Sequence, residues 1–228
     1  MEQSRQKRHR MGQYEFLFFA ILAVIIFRPM LENGFVGLLI LNGLTSAILI
    51  SSAYAVSGNP KTLRLSLMLL VPAFIASWST VFVSALWPMA ISRVLMFAFV
   101  SYILGVMALD ILSEKNVTRD TIFGSACVYM LIGFAFADIY MLFQIVEPQS
   151  FGQAIDIAPV GSEVKLSSDL GYFSFVTLTT LGYGDMTPKT GMVQGLATLE
   201  AMLGQFYLTV LVARLVGLHL AGSKLTTE

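Results

Sequence analysis

TTLGYGD, residues 179–185, is the stretch on which the reading of this chain turns. Its seven positions hold two threonines, two glycines, a tyrosine and a carboxylate, yet the runs on either side are largely apolar. The medium around it follows from composition. Of 228 residues 56% are hydrophobic and 12% charged, with mean hydropathy +0.76; an ordinary soluble domain carries roughly 25% charged residues. The chain therefore reads as an all-α integral membrane protein. A net charge of zero leaves no basic footprint for nucleic acid. The single cysteine, Cys127, excludes an intrachain disulfide framework and reads as a small buried hydrophobe.

Six apolar segments approach or reach the roughly 20 residues that a spanning helix needs: 11–27, 35–57, 65–84, 89–112, 121–146 and 191–220. The first is the weakest, and Arg28 is expected to snorkel to the interface beyond it. No small-residue cleavage site follows it, so it reads as a retained span and not as a signal peptide. Six spans with both ends cytoplasmic put ten of the 14 Lys and Arg inside. Arg28, Arg93, Lys165 and Lys189 are left outside, the bias that the positive-inside rule requires.

Between the last two spans, 147–166 is polar and punctuated by Gly and Pro, and reads as an outer loop. A short helix is expected over 170–179, capped by Ser167, Ser168 or Asp169. At about 1.5 Å per residue it would be roughly 15 Å long, half of a hydrocarbon core about 30 Å thick. The chain must then return to its own side through LGYGDMTPK before the run that starts at Gly191. Non-helical backbone at that depth is tolerated only in a protein interior or lining a water-filled cavity, so TTLGYGD is expected to line one. Gly182 and Gly184 let the backbone turn successive carbonyls to one side. Such a row of oxygens, with the negative end of the helix behind it, suits a dehydrated cation.

The stretch YFSFVTLTTLGYGD resembles the pore helix and selectivity filter of the tetrameric potassium channel family. The resemblance covers roughly 121–220 and is weak across the first four spans. It implies six transmembrane helices with a re-entrant pore helix and filter loop between the fifth and sixth. It also implies a homotetramer in a cell membrane that conducts K+ passively, with no cofactor and no enzymatic role. The carbonyls of Thr180, Leu181, Gly182 and Tyr183, with the Thr180 hydroxyl and Gly184, would hold the ions, and Asp185 would sit at the outer mouth. Tyr172, Phe173 and Thr177 would support the filter, and Gly204 falls where many members have an inner-helix hinge, though it equally suits close helix packing. The stripe Gln205, Leu208, Val212 and Val216 would face the inner cavity, with Val216 and Leu220 as a dewetting constriction. Leu181 departs from the commoner valine, and Val176 lacks the carboxylate that some bacterial members place behind the filter.

The implied organisation is a basic tail (1–10), a four-span domain (11–120), a pore domain (121–220) and a short tail (221–228). The fourth span carries Arg93 alone, expected to anchor at the outer interface, so no voltage sensor is expected. Asp138 and Glu200 are ionisable groups inside spans and hence candidate gating residues. Similar depths suggest that they share one proton, or meet pore-helix hydroxyls at Tyr172, Ser174 or Thr177. Two other classes fit parts of the sequence: a non-selective or silent channel subunit, and an intramembrane aspartyl protease reading of GYGD with Asp138 and Asp185 as the pair.

Overall fold

The computed structural model describes residues 12–31, 34–83, 85–114, 117–151 and 162–224, without the side chains of 13, 34, 35, 162, 163 and 219–224. The described elements are α1 (Gln13–Phe27), a 3-10 turn (Arg28–Leu31), α2 (Gly34–Ala55), α3 (Pro60–Phe82), α4 (Leu86–Ser113), α5 (Arg119–Val146), α6 (Ser162–Leu178) and α7 (Gly191–Lys224). Among them six helices are long and apolar enough to cross a membrane, every one except α6. The chain is a multi-pass, all-helical membrane protein.

Local chemistry sets several of the helix ends. Pro60 opens α3 where its missing N–H costs nothing, and the Asn59 side chain accepts from the Lys61 N–H at 2.9 Å. Thr118 and Thr121 cap the start of α5 reciprocally. The end of α4 is capped from a distance. Arg214 of α7 donates to the carbonyls of Ile111 (2.5 Å), Leu112 (2.9 Å) and Glu114 (2.6 Å). Those carbonyls lie at the negative end of the helix dipole, where, among the described residues, the Ile111 carbonyl accepts otherwise only from the Glu114 N–H at 3.3 Å, so a guanidinium is well placed there.

One large core is shared by α1, α4 and α5, through Leu17 and Ile21, Phe99 and Ile103, and Cys127 and Leu131. It runs across residue 120 without a break. A second core holds α6 against α5, with Phe173, Tyr140 and Phe151 packed edge to face at 5.0–5.7 Å.

The short helix differs from expectation. It starts at Ser162 instead of near 170 and ends at Leu178, 17 residues or roughly 25 Å. Ser167 and Ser168 are buried positions inside it and not caps. The cause is tertiary: Val164 packs with Leu38, Leu41 and Val81 of α2 and α3, and Ser167 accepts a hydrogen bond from the Arg28 guanidinium. These contacts carry the helix through a polar stretch that looked like a loop by composition. Arg28 therefore reaches inward to α6.

At its far end α6 is gripped by close backbone approaches. A Cβ at Gly133 would lie 2.7 Å from the Phe175 ring, and one at Gly204 would lie 2.4 Å from the Leu178 carbonyl oxygen. The second neighbour is backbone and cannot rotate away. Gly204→Ala should destabilise by about 1–3 kcal/mol through overpacking, read as a lower thermal midpoint of the purified protein. Gly43→Ala, where a Cβ meets nothing within 4 Å, should be neutral or slightly stabilising because alanine is the better helix former.

Candidate functional site

The loop that leaves α6 begins by unwinding. Thr180 N–H donates to the Thr177 carbonyl and Leu181 N–H to the Val176 carbonyl, both at 2.9 Å. Every second residue then lies in the left-handed region: Thr180 at φ 58°, Gly182 at 58° and Gly184 at 79°. In an ordinary extended strand successive peptide units face opposite sides. A left-handed residue at every second position undoes that alternation. Glycine takes this conformation freely, whereas Thr180 is β-branched and, among the described residues, the one non-glycine with positive φ. Its hydroxyl accepts from the Gln205 side chain of α7 at 3.3 Å. Residues 179–185 are all exposed in the single chain.

Tyr172 braces the loop from α6. Its ring stacks on Tyr183 (6.4 Å between centroids, 9° between planes) and its hydroxyl donates to Asp185 Oδ2 at 2.8 Å. That bond holds the Asp185 carboxyl below the usual carboxylate range, and it raises the Tyr172 phenol above its own. After the loop, Lys189 N–H donates to the Ser150 carbonyl at 2.7 Å, fastening the return strand to the turn beyond α5. Phe173 points the other way, into the ring cluster with Tyr140 and Phe151. It roots the helix in that cluster, against which Met186, just past the loop, also packs. Thr177 contributes its backbone carbonyl to the first turn of the loop.

Behind α6 lies Glu200, fully buried on α7. Tyr140 of α5 donates to its Oε2 at 2.6 Å, and the Ser174 hydroxyl of α6 stands 2.5 Å from its Oε1. Ser174 also stands 2.7 Å from the Gly133 carbonyl oxygen. A hydroxyl has one proton to donate, so both contacts are hydrogen bonds together only when Glu200 brings a proton of its own. The partnership expected between Asp138 and Glu200 is not formed. Asp138 pairs with Arg93 at 3.3 Å, within the bundle. Arg93 is correspondingly turned inward and is not an interfacial anchor. The reason is energetic: in an apolar medium a lone charge is far costlier than a pair, and each carboxyl takes the polar partners nearest to it. The sequence located both carboxyls at a similar depth but carried no signal for which side of its helix each occupies relative to Arg93 or Ser174.

On α7, Gly204 lies against the Leu178 carbonyl as a close-packing glycine. Leu208, Val212 and Val216 are exposed, and the side chain of Leu220 lies outside the described residues. Only 6% of the apolar window of α7 is buried, against 56% for α5.

Helix α5, the loop after α6 and most of the uncovered final helix fall within the part of the chain that a known family shares with it. A family model described as an ion channel matches residues 94–218, more than half of the 228 residues, and the chain belongs to that family. It is similar to Protein LctB of Geobacillus stearothermophilus, 38% identical over 87 residues, and to Protein LctB of Bacillus caldotenax, 37% identical over 87. Each match covers 38% of this chain and spans 62% of the relative's length. No solved structure matches the chain.

Two outcomes follow from the supports of the loop. Glu200→Gln keeps a donor toward Ser174 and an acceptor toward Tyr140, so the thermal midpoint should stay close to wild type. Glu200→Ala leaves the buried Tyr140 hydroxyl without its partner, while Ser174 keeps the Gly133 carbonyl, and should cost about 1–3 kcal/mol, seen in the same melt. For Tyr172→Phe the sign runs through Asp185. A depressed carboxyl contributes fully above the ordinary carboxylate range, and its contribution is lost as pH falls through the lowered value. Removing the hydroxyl returns Asp185 toward its ordinary range, so Tyr172→Phe should be slightly less stable than wild type above the carboxylate range, with the gap closing as pH falls through it, measured by melts across a pH series.

Proposed function

We propose that the chain is one subunit of a homotetrameric potassium channel whose filter is 180–184. The observation that carries this reading is the alternation of left-handed residues at Thr180, Gly182 and Gly184, directly after a helix that ends at Leu178. Carbonyls turned to one side at the negative end of a helix form a cation site. One chain supplies one wall of such a site, and closed rotational symmetry supplies the rest. The carbonyls of Thr180, Leu181, Gly182 and Tyr183, with the Thr180 hydroxyl and Gly184, take the place of the hydration shell of K+. Asp185 stands at the outer mouth, and Gln205, Leu208, Val212 and Val216 face the inner cavity. In this reading α6 is the re-entrant pore helix, both chain ends are cytoplasmic, the membrane is the cell membrane, and no cofactor takes part. The four-span set 11–120 flanks the pore set 121–220. Against the protease alternative stand the pairing of Asp138 with Arg93 and that of Asp185 with Tyr172.

The purified protein in liposomes under opposed K+ and Na+ gradients tests the reading. The reversal potential should lie near the K+ equilibrium potential. A value midway between the two ions means a non-selective pore, and no current at all means a subunit that needs a partner. Mass measurement in detergent should give four chains.

Conduction should also be shallow in voltage. Arg93 is the only basic residue of α4 and is held by Asp138, whereas sensors carry three or four charges per subunit, each worth about 2.3 kcal/mol per 100 mV. A tenfold change in open probability over about 20 mV, abolished in Arg93→Gln, would show that this helix does sense voltage.

A further inference from the structure

One large cavity among the described residues serves none of these roles. It is a groove of about 580 Å³ between α4, α5 and α7, walled by side chains such as Phe97 and Leu104, Ile132 and Ile139, and Leu203 and Val210. Nearly all of its lining is carbon, and its one charged residue is Arg214, at one end. From Leu203 to Arg214 the groove follows eleven residues of α7, roughly 16 Å at helical rise. That is one leaflet of a hydrocarbon core about 30 Å thick. Arg214 lies where α4 ends, at Glu114, so the charged end of the groove is level with a helix terminus and not with mid-membrane.

Arg214 has the chemistry of a headgroup site. Its guanidinium gives one hydrogen bond from Nη1 and two from Nη2, all to backbone carbonyls. These use three of its five N–H donors. Among the described residues it pairs with no carboxylate, so its positive charge is oriented but not neutralised. Position on the helix separates the groove from the pore. At 3.6 residues per turn, Leu203, Tyr207, Val210 and Arg214 fall roughly half a turn from Gln205, Leu208, Val212 and Val216. Copies gathered around an axis on the second set leave the first set facing the chain's own α4 and α5.

We infer that this groove binds one acyl chain of an anionic phospholipid from the leaflet in which α4 ends, with the lipid phosphate on Arg214. The acyl chain fills an apolar slot of leaflet length that water would not wet, and the phosphate takes the donors that the carbonyls leave over. Because Arg214 also caps α4, the bound lipid joins the end of the fourth span to the inner half of α7. The inference goes beyond the potassium reading, and its readout does not depend on conduction.

Native mass spectrometry of the delipidated full chain, titrated with phosphatidylglycerol or phosphatidylcholine of identical acyl chains, decides it. Wild type should retain phosphatidylglycerol about tenfold better than phosphatidylcholine. Leu104→Trp fills the slot without touching Arg214 and should lose retention of both lipids. Arg214→Gln should erase the headgroup preference while some acyl binding persists, and Arg214→Lys, which keeps the charge, should preserve most of it. Equal retention of the two lipids by wild type, retention unchanged in Leu104→Trp, or a preference that survives Arg214→Gln would each reduce the groove to ordinary annular contact and overturn the inference.

Discussion

A fully buried carboxyl, Glu200, meets Ser174 of the short helix and Tyr140 of the fifth helix within hydrogen-bond distance, and the packing of α5, α6 and α7 is arranged around that meeting. In a low-dielectric medium a polar cluster either closes completely or destabilises its surroundings. This one closes by drawing three helices together at one level. The approaches at Gly133 and Gly204 follow from it, since only residues without a Cβ let α5 and α7 come so near to α6. The C-terminal end of α6 is thereby held at a fixed point, with Tyr129 donating to the last helical carbonyl at Leu178. From that point the loop 179–185 departs.

The same requirement explains the other charges inside the bundle. Arg93 lies against Asp138, Arg28 donates to Ser167, and Arg214 caps the carbonyls that end α4. Each contact joins the first four spans to an element beyond residue 118, or the reverse. Dispersion holds apolar helices together in lipid without strong directional preference, whereas these few polar contacts fix which faces meet and at what height. The first four spans are thus fastened to the C-terminal half near both ends of α4, consistent with a core that runs across residue 120.

The surface left uncovered is as informative as the contacts. A single chain leaves the loop 179–185 exposed and most of α7 bare. An exposed left-handed loop beside an uncovered helix is an unfinished surface, which in the proposed channel is finished on one side by an ion and on the other by further apolar groups. Helix α7 thus has two distinct faces, one turned toward the axis of the proposed tetramer and one toward the groove that ends at Arg214.

Much of this molecule was legible in its sequence, because in lipid the choice of secondary structure is almost forced. Runs of apolar residues of sufficient length must be helices, and the six spans lie close to where composition put them. The glycines at 182 and 184 announced the irregular loop, since no other residue adopts left-handed backbone so cheaply. What the sequence did not contain was the rotation of each helix about its own axis, because a span apolar on all sides has almost no periodic signal to reveal it. Rotation decides whether Asp138 meets Arg93 or Glu200, whether Phe173 faces the loop or the core, and whether Arg214 stands in water or caps a helix a hundred residues away. It also decided the length of α6, whose first eight residues are polar enough to be a loop and are helical because Val164 and Ser167 found partners on α1, α2 and α3 or beside them. Those outcomes rest on long-range pairings of polar groups, and only the assembled tertiary structure brings such groups within reach of one another.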